Sequence, residues 1–490
     1  MDRRDFLKNT AFLGALAAVT GCVTRERKVV DGPAPMQGFA APALPEVRIG
    51  IVGVGRRAQG ALKRLSSIPR CRIVAVCDLI EQRILDAQDV VVKNGAPKPE
   101  GFTDYDKMLD LDFDVVYNVT PWKLHAPFAL KAMEKGKHVM IEVPAAMTLE
   151  ECWALVETSE RTQRHCMQLE NCAYGEAEML CLNLVRKGLL GDIVHCEGAY
   201  CHDLHTKNFT DAKIHAAEYP NGYTNFWRLR HDAIHKGNQY ETHGFVPLCQ
   251  YMNVNRGDRL DNLVSLESDQ FTYEDYAKRK FPGTWKADLK VAMGDMNMTL
   301  LRTVKGRSIL LQHDVSSPRP YSRHNLCQGM KGIFTGINLR ATPEEMYEDG
   351  CPVRLAWRAE GKECISKFFD FKRLREIAEE HRHPLWKTAG EYAKLVGGHG
   401  GMDFLMDLRW TYCLQQGLPL DTDVYDLASV CSIAELSERS VRNGGMPQEI
   451  PDFTRGGWQT AKPLDIVDID LVKLGLDPSK LKKDENALNV

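Results

Sequence analysis

Two residues spaced for proton transfer are Tyr240 and His243, which stand three apart and would share one face of a helical turn. Histidine exchanges protons near neutral pH, and a phenol can donate or accept a hydrogen bond. Glycines at 237 and 244 bracket the pair, and the apolar run 245–252 that follows predicts a buried helix. The spacing predicts a site that moves a proton, although a core histidine bonded to the backbone would show the same spacing.

A second group of residues is typical of a dinucleotide site. The apolar run 47–52 leads directly into Gly53, Gly55 and Ala58, in the order Gly-x-Gly-x-x-Ala, and then into helical sequence. Gly53 permits a tight turn, Gly55 lets the backbone approach a pyrophosphate, and Ala58 allows close helix packing. A second apolar run, 73–77, ends in Asp78, whose carboxylate would accept hydrogen bonds from a ribose and repel a 2′-phosphate. These residues predict binding of NAD rather than NADP.

Two further strand ends should face the same ligand. Apolar runs at 114–120 and 138–144 alternate with helical sequence, which predicts a doubly wound parallel sheet. Ligands bind outside the carboxyl ends of such strands, so residues 120–125 and 142–144 should line the nicotinamide end. His125 lies in the first of these turns, where it would either face the cofactor or cap and pack a helix.

Composition and length restrict the class of protein. The chain has 490 residues and a net charge of −3, a balance that offers no basic surface to nucleic acid. The length that remains after an N-terminal leader predicts two domains sharing a cleft. The 15 cysteines form no CxxC pair, which argues against a zinc site or a disulfide framework. His202–Asp203 and His313–Asp314 lack a supporting His-x-x-x-His or carboxylate triad, so we expect no metal.

The first residues are typical of an export signal. Arg3 and Arg4 precede an apolar stretch, 11–19, that is too short to span a bilayer. Paired arginines mark the route that exports folded proteins, which would allow a cofactor to be loaded first. Cys22, after a small residue, fits a lipidation site, so we expect a periplasmic or cell-envelope protein anchored at Cys22. The alternatives are a disordered amphipathic N-terminus and an incidental Cys22.

After residue 45 the chain resembles the Gfo/Idh/MocA oxidoreductases, in GVGRRA (53–58), Asp78, the turn 120–125 and EVP (142–144). Sugar dehydrogenases of that family carry lysine where Val143 stands, and an aspartate four residues before the catalytic histidine, where Gln239 stands. Five longer blocks are similar to glycoside hydrolase family 109, known for NAD-dependent α-N-acetylgalactosaminidases. They are EVPAA (142–146), NCAYGE (171–176), WRLR (227–230), GNQYETHG (237–244) and HGGMD (399–403).

The resemblance implies an α/β fold with two domains. An N-terminal Rossmann dinucleotide-binding domain would precede an α+β domain with an open, largely antiparallel sheet. The predicted boundaries are a signal at 1–22, a linker at 23–45, the Rossmann domain at 46–170, the substrate domain at 171–453 and a tail at 454–490.

The resemblance also implies roles for individual residues, and it leaves open which catalytic residue performs each proton transfer. The implied catalytic residues are Tyr174, Tyr240 and His243, with Tyr174 acting on the C2 proton of a sugar. The implied substrate contacts are Tyr200, Arg228, Tyr240, His243 and Tyr321. The implied NAD contacts are Gly53, Gly55, Arg56, Arg57, Asp78, Trp122, His125, Glu142, Val143, Asn171 and Tyr240. His399, in a glycine-rich loop, is a weaker candidate for a ligand contact.

The function that follows is hydrolysis of terminal α-N-acetylgalactosamine on a glycan or glycoconjugate. Oxidation at C3 would acidify the C2 proton, the C1 substituent would leave, water would add, and C3 would be reduced again. NAD would stay tightly bound and be recycled in each turnover, which suits an exported protein without a cofactor pool. Alternatives are a sugar dehydrogenase with net turnover of NAD and a non-catalytic NAD-containing sugar-binding protein. We expect no nucleic-acid partner and no membrane contact beyond a lipid at Cys22. The sequence is compatible with a homo-oligomer and does not specify the oligomeric state.

Overall fold

The computed structural model describes residues 35–212, 221–339, 351–358 and 364–476. The predicted leader and Cys22 lie outside these ranges, as do the first part of the linker and the end of the tail. Within the described ranges, the helices all lack the length and apolarity that a membrane span requires.

The first sheet has six parallel strands in the order β3-β2-β1-β4-β5-β6. They are β1 (Val47–Val52), β2 (Cys71–Cys77), β3 (Glu100–Phe102), β4 (Val115–Asn118), β5 (His138–Ile141) and β6 (Cys166–Gln168). Strands β4 and β5 are buried along their whole length, as expected for a parallel sheet covered by helices on both faces. The strand order reverses between β1 and β4, and the carboxyl ends of these two strands therefore form the ligand crevice.

Five helices accompany this sheet. They are α1 (Arg56–Ser66), α2 (Glu81–Lys93), α3 (Tyr105–Leu109), α4 (His125–Glu134) and α5 (Leu149–Thr162), with a short 3₁₀ turn at Trp122–Leu124. Thr148 caps α5, because its hydroxyl accepts the Glu151 N–H at 3.1 Å. By contrast, α1 follows Gly55 without any side-chain cap, so its first N–H groups remain available to a ligand.

The second sheet has eight strands in the order β13-β12-β11-β7-β10-β9-β8-β14. They are β7 (Ile193–Cys201), β8 (Leu260–Glu267), β9 (Asn297–Thr303), β10 (Ser308–Asp314), β11 (Leu326–Gly329), β12 (Gly332–Thr335), β13 (Arg354–Trp357) and β14 (Gln448–Glu449). Neighbours pair antiparallel except β7 with β10. The predicted fold class, a Rossmann domain joined to a domain with a largely antiparallel sheet, is confirmed.

Helices in the second half of the chain carry two of the candidate site residues, Arg228 and His243. They are α6 (Glu176–Arg186), α7 (His205–Asn208), α8 (Trp227–Asp232), α9 (Thr242–Met252), α10 (Thr272–Lys280), α11 (Phe371–Glu380), α12 (Pro384–Val396), α13 (Met402–Gln416), α14 (Val424–Arg442) and α15 (Leu471–Leu474). Short 3₁₀ turns occur at Asn171–Tyr174, Thr224–Phe226, His399–Gly401 and Gly457–Gln459. Helix α14 starts with a capping box in which Asp423 and Asp426 each accept the other's backbone N–H.

Buried charges join the two halves. Arg64 on α1 donates to Asp407 on α13 at 2.7 Å, and the Tyr117 hydroxyl donates to the same carboxylate at 3.2 Å. Helix α14 packs against both α5 and β8, so it also contacts the two halves. The nucleotide-binding sheet and the mixed sheet are therefore held in one fixed arrangement around the crevice.

The described cysteines are all free thiols. Of these 14 residues, 12 are buried, while Cys71 is half-buried and Cys364 is exposed. Cys196 and Cys327 stand directly opposite each other on the neighbouring strands β7 and β11. Burial raises the pKa of most of these thiols, such as Cys77 to about 12, which keeps them protonated and unreactive.

Candidate active site

The glycine turn after β1 fits a dinucleotide. Gly53 has a φ of +83°, and a Cβ added there would lie 2.8 Å from the Thr120 nitrogen, so only glycine fits between these strand ends. A Cβ added at Gly55 would meet only Arg83, at 3.7 Å, which leaves open space above the backbone. The uncapped N-terminus of α1 begins at the next residue. This surface can accept the pyrophosphate of NAD.

Asp78 stands at the carboxyl end of β2, beside the same turn. Its carboxylate accepts the Ile80 N–H at 3.1 Å and lies 3.9 Å from Arg83. Burial raises the pKa of the Asp78 carboxyl, and the Arg83 guanidinium opposes that effect. The position suits a hydrogen bond to an adenosine ribose.

Asp403, at the start of α13, brings together three of the predicted cofactor contacts. Its carboxylate accepts hydrogen bonds from Arg57, at 3.1 Å, and from the Asn171 amide, while Arg57 also pairs with Glu142. His399 Nδ1 lies 3.0 Å from the same carboxylate. Burial alone would raise the pKa of Asp403, but Arg57 and His399 outweigh it and hold that pKa well below its usual range. An ionised Asp403 thus holds the Arg57 guanidinium, which also pairs with Glu142.

Six predicted residues meet in a single group, which we call the aromatic cluster: Trp122, Tyr200, Arg228, Tyr240, His243 and Tyr321. The Tyr240 ring stacks on Trp122, with centroids 5.6 Å apart, and lies 4.5 Å from the Tyr200 ring. Tyr321 lies 6.0 Å from Tyr200, edge to face. Val143 packs in the same buried group, so this part of the EVP turn adjoins the cluster.

Arg228 is enclosed by this cluster. Its guanidinium lies 4.8 Å from the Trp122 ring centroid and 4.9 Å from that of Tyr240, in cation–π geometry. One terminal nitrogen donates to the Tyr223 hydroxyl at 3.1 Å, but the buried Nε has no partner. Because buried donors are normally paired, this N–H is available to an oxygen of a bound ligand.

His243 connects a phenol to a buried carboxylate. Its Nε2 lies 3.3 Å from the Tyr240 hydroxyl, and its Nδ1 lies 2.8 Å from Glu170. Burial would raise the pKa of Glu170, but the charge and hydrogen bond of His243, with the Cys172 N–H, lower it instead. Burial raises the pKa of the Tyr240 phenol well above its usual value. An ionised Glu170 favours the tautomer with a proton on Nδ1, which leaves Nε2 to act as the base.

Two glycines place this histidine against the mixed sheet. A Cβ added at Gly244, on α9, would lie 2.3 Å from the Ala199 nitrogen of β7. A Cβ at Gly198 would lie 2.0 Å from the Gly244 carbonyl oxygen. Helix and strand therefore touch backbone to backbone, and this contact brings His243 within 5.4 Å of the Tyr200 ring.

Three of the predicted site residues, His125, Tyr174 and Arg56, lie outside the aromatic cluster and bond to other parts of the protein. His125 is buried with Nδ1 at 2.7 Å from the Pro144 carbonyl and Nε2 at 2.6 Å from the Thr120 carbonyl, so it packs the two turns rather than offering a nitrogen to the cofactor. Tyr174 lies in the core, where its hydroxyl donates to Asp421 at 2.9 Å. Burial and that carboxylate raise the pKa of Tyr174 well above its usual value, which makes it a poor base for a C2 proton. Arg56 is exposed and bonds to Asn221.

Sequence reasoning missed Glu170, Asp403 and Arg83. The sequence did contain a signal for Glu170. Gln239 stands where the related dehydrogenases carry an aspartate before the catalytic histidine, so a different carboxylate had to orient His243. Gln239 instead lies 3.0 Å from His231 and donates to the Lys236 carbonyl. Glu170 comes from the other half of the fold, 73 residues upstream of His243, where no local spacing could identify it.

Comparisons with known proteins agree across both halves. Residues 47–169 match the family model described as oxidoreductase family, NAD-binding Rossmann fold, and residues 174–460 match glycosyl hydrolase 109, C-terminal domain. The glycosyl hydrolase family 109 protein 2 of Shewanella sp. (strain ANA-3) is 43% identical over 477 residues, covering 95% of this chain and 99% of that protein. The family 109 protein of Porphyromonas gingivalis (strain ATCC BAA-308 / W83) is 41% identical, covering 91% and 96%. A levoglucosan dehydrogenase solved with NADH shares the fold, with a TM-score of 0.61 at 17% identity over 83% of this chain and 99% of that one.

Proposed function

The chain belongs to glycosyl hydrolase family 109, and from that premise we propose that it removes terminal α-linked N-acetylgalactosamine with an NAD that is recycled in each turnover. The observation that carries the proposal is a series of hydrogen bonds from Tyr240 through His243 to Glu170. Tyr240 and His243 belong to the aromatic cluster, and Glu170 belongs to the NAD-binding half. Ordinary glycosidases place two carboxylates on either side of the bond. Here the Glu170 carboxylate contacts His243 of the cluster, and it serves the histidine instead.

The redox-neutral route gives each residue of the cluster a task. Bound NAD would supply a hydride acceptor for C3 of the sugar and return the hydride at the end. His243 Nε2 takes the proton of the 3-hydroxyl, directly or through the Tyr240 hydroxyl, and later gives it back. Once C3 is a ketone, the C2 proton is acidic, and its transfer to a base forms an enolate that expels the C1 substituent with a proton. Water then adds at C1 and C2 is reprotonated from solvent. The free Nε of Arg228 can donate to the sugar oxygen on which negative charge develops.

The surroundings also suit a sugar. Stacked aromatic rings such as Trp122 and Tyr240 offer apolar faces, while the hydroxyl of Tyr200 lies 3.0 Å from His202 Nδ1 and presents a polar edge. The half-buried Tyr321 adjoins both Tyr200 and His202. A terminal sugar can therefore meet ring faces and hydrogen-bonding groups in one place.

The test is hydrolysis of para-nitrophenyl α-N-acetylgalactosaminide in deuterated water, with protein purified without added NAD. Nitrophenol release with deuterium at C2 of the product is expected, and His243→Ala should abolish both. No release, even with NAD supplied, would reject this substrate. NADH accumulation with a free sugar would favour a dehydrogenase with net turnover. Sugar binding without C2 exchange would favour a non-catalytic binding protein.

We also propose that the protein is exported in folded form and lipidated at Cys22. The twin arginines Arg3 and Arg4 and the short apolar stretch after them support this. Replacing both arginines with lysine should retain the protein in the cytoplasm, as measured by cell fractionation. Cys22→Ser should remove labelling by a fatty-acid analogue while leaving export intact. An unprocessed, cytoplasmic wild-type protein would contradict the proposal.

A further inference from the structure

Residues 221–228, which we call the strap, contact the nucleotide-binding half at two places beside the dinucleotide crevice. At the end marked by Asp78, where a ribose would bind, the Thr224 hydroxyl accepts a hydrogen bond from Arg83 Nη2 at 2.8 Å. At the end marked by Trp122, the Trp227 ring lies 5.1 Å from the Trp122 ring. The strap belongs to the second half of the chain, but Thr224 and Trp227 both contact the nucleotide-binding half.

Arg83, on α2, lies where the strap and the glycine turn meet. Its Nη1 lies 3.9 Å from Asp78 and 3.7 Å from a Cβ added at Gly55, the position where the backbone approaches a pyrophosphate. The side chain is only 11% exposed, and its buried Nε has no partner. A largely buried guanidinium with an unused N–H next to this turn is suited to a phosphate oxygen.

The backbone of the strap is held in an unusual form. Asn225 and Phe226 have φ values of +54° and +52°, a region that residues other than glycine rarely occupy. Such conformations persist where surrounding contacts impose them, and they concentrate at ligand clamps. The Phe226 ring packs against Trp285, 5.4 Å away, and a Cβ added at Gly222 would lie 2.3 Å from the Thr210 carbonyl oxygen. The strap is thus anchored on its outer side as well as at Arg83.

We propose that Arg83 binds the diphosphate of NAD and, through Thr224, locks the strap across the crevice so that the cofactor is retained between turnovers. The inference deepens the proposed function, since it supplies the retention that a recycled cofactor requires. Arg83 would join phosphate and strap in one contact, so NAD could leave only after the Arg83–Thr224 bond breaks. The Trp122 end of the strap would keep the nicotinamide side closed at the same time.

The experiment measures retention of NAD and not hydrolysis, so it does not depend on the sugar that the enzyme accepts. Wild-type protein and the variants Thr224→Val and Arg83→Gln are purified, passed through gel filtration and assayed for NAD per chain. Dissociation is then followed by exchange with labelled NAD. Thr224→Val removes the acceptor at nearly constant size, and Arg72→Gln is the control, because Arg72 forms only a surface pair with Glu46.

Wild type and Arg72→Gln should keep close to one NAD per chain. Both Thr224→Val and Arg83→Gln should release NAD at least about tenfold faster, with melting temperatures of the NAD-free proteins unchanged. Loss of NAD from the wild-type protein on gel filtration would overturn the inference. Equal exchange rates in wild type and Arg83→Gln would also overturn it, as would an effect of Arg83→Gln without one of Thr224→Val. A protein that holds NAD in this way but does not cleave the galactosaminide would sustain the inference while rejecting the proposed substrate.

Discussion

Glu170 is expected to act through His243, because it contacts Nδ1 of the imidazole and lies on the side away from the Tyr240 hydroxyl. Glu170→Gln keeps the size of the side chain but removes the charge that favours the proton on Nδ1. We expect kcat to fall about 10²-fold or more, with a much smaller change in KM. Steady-state kinetics on the nitrophenyl substrate measure both values.

The matched control is Glu160→Gln. Glu160 is equally a buried carboxylate, but it pairs with Arg455 and accepts from the Tyr425 hydroxyl at 2.7 Å, away from the aromatic cluster. This variant should lose stability and keep its kcat. A wild-type kcat in Glu170→Gln, or an equal loss in both variants, would show that Glu170 has no specific part in proton transfer.

At the residue scale, the sequence predicts site residues best where the members of a motif also contact one another in the fold. The family resemblance implies ligand contacts for all six members of the aromatic cluster, three of them within the sequence blocks, and the structure brings the six together. Asp403 was missed because it reaches Asn171 across 232 positions of the chain. Tyr174 stands two residues before Glu176 in a distinctive block, yet its hydroxyl turns to Asp421 in the core. Resemblance over a sequence block indicates that the segment lies near the functional site, but the direction of each side chain depends on tertiary packing.

Helix α8 contains a buried carboxyl whose titration should be visible in stability. Burial raises the pKa of Asp232 to about 7, so the folded protein holds this proton more tightly than the unfolded chain. Its contribution to stability is therefore greatest at low pH and is lost as pH rises from about 4 to 7. Asp232→Asn keeps a partner for the Asn208 amide, which donates to Asp232 at 2.9 Å. Relative to wild type, the variant should gain roughly 2–3 kcal/mol between pH 5 and pH 8.

Denaturant unfolding at both pH values measures this difference. Asp89→Asn, on the exposed side of α2, is the control and should show a pH dependence like that of wild type. A constant difference between Asp232→Asn and wild type across this pH range would mean that Asp232 is ionised in the folded protein throughout.

Secondary structure was predicted well wherever apolar residues follow a simple period. The apolar run at 47–52 has these bounds as strand β1, and the helix expected over 245–252 begins three residues earlier, at Thr242. The order of the mixed sheet was not predictable in the same way. Strand β7 pairs in parallel with β10, more than 100 residues later, and such a choice depends on long-range packing rather than on local pattern.

On the scale of the whole molecule, Arg64 tests whether the halves unfold together. Arg64→Ala would leave Asp407 with an uncompensated buried charge, which costs about 3–5 kcal/mol in such pairs, whereas Asp403 would keep its pair with Arg57. Urea unfolding followed by circular dichroism and by tryptophan fluorescence should still give one shared transition. Arg72→Ala, at the surface, should change stability by less than about 0.5 kcal/mol. Separate transitions in the two signals would show that the halves unfold independently.

The family resemblance read from five sequence blocks is confirmed by the two family models, which together span residues 47–460 with a short gap. The glycosidase class and the NAD-binding domain are thereby established, whereas the sugar and the chemical route stay proposals. Those depend on the fit between the aromatic cluster and a particular ligand, and neither fold nor composition specifies that fit.

The reaction rate of the buried thiols reports how often the native fold opens. A fresh, native sample treated with a thiol reagent should label Cys364 quickly, because it is the exposed cysteine among those described. The 12 buried thiols should react only at the rate at which the fold opens. Their labelling, read by intact mass, would thus time spontaneous unfolding without any denaturant. Under the proposed export to an oxidising compartment, the same opening rate would set how long these cysteines escape mispairing.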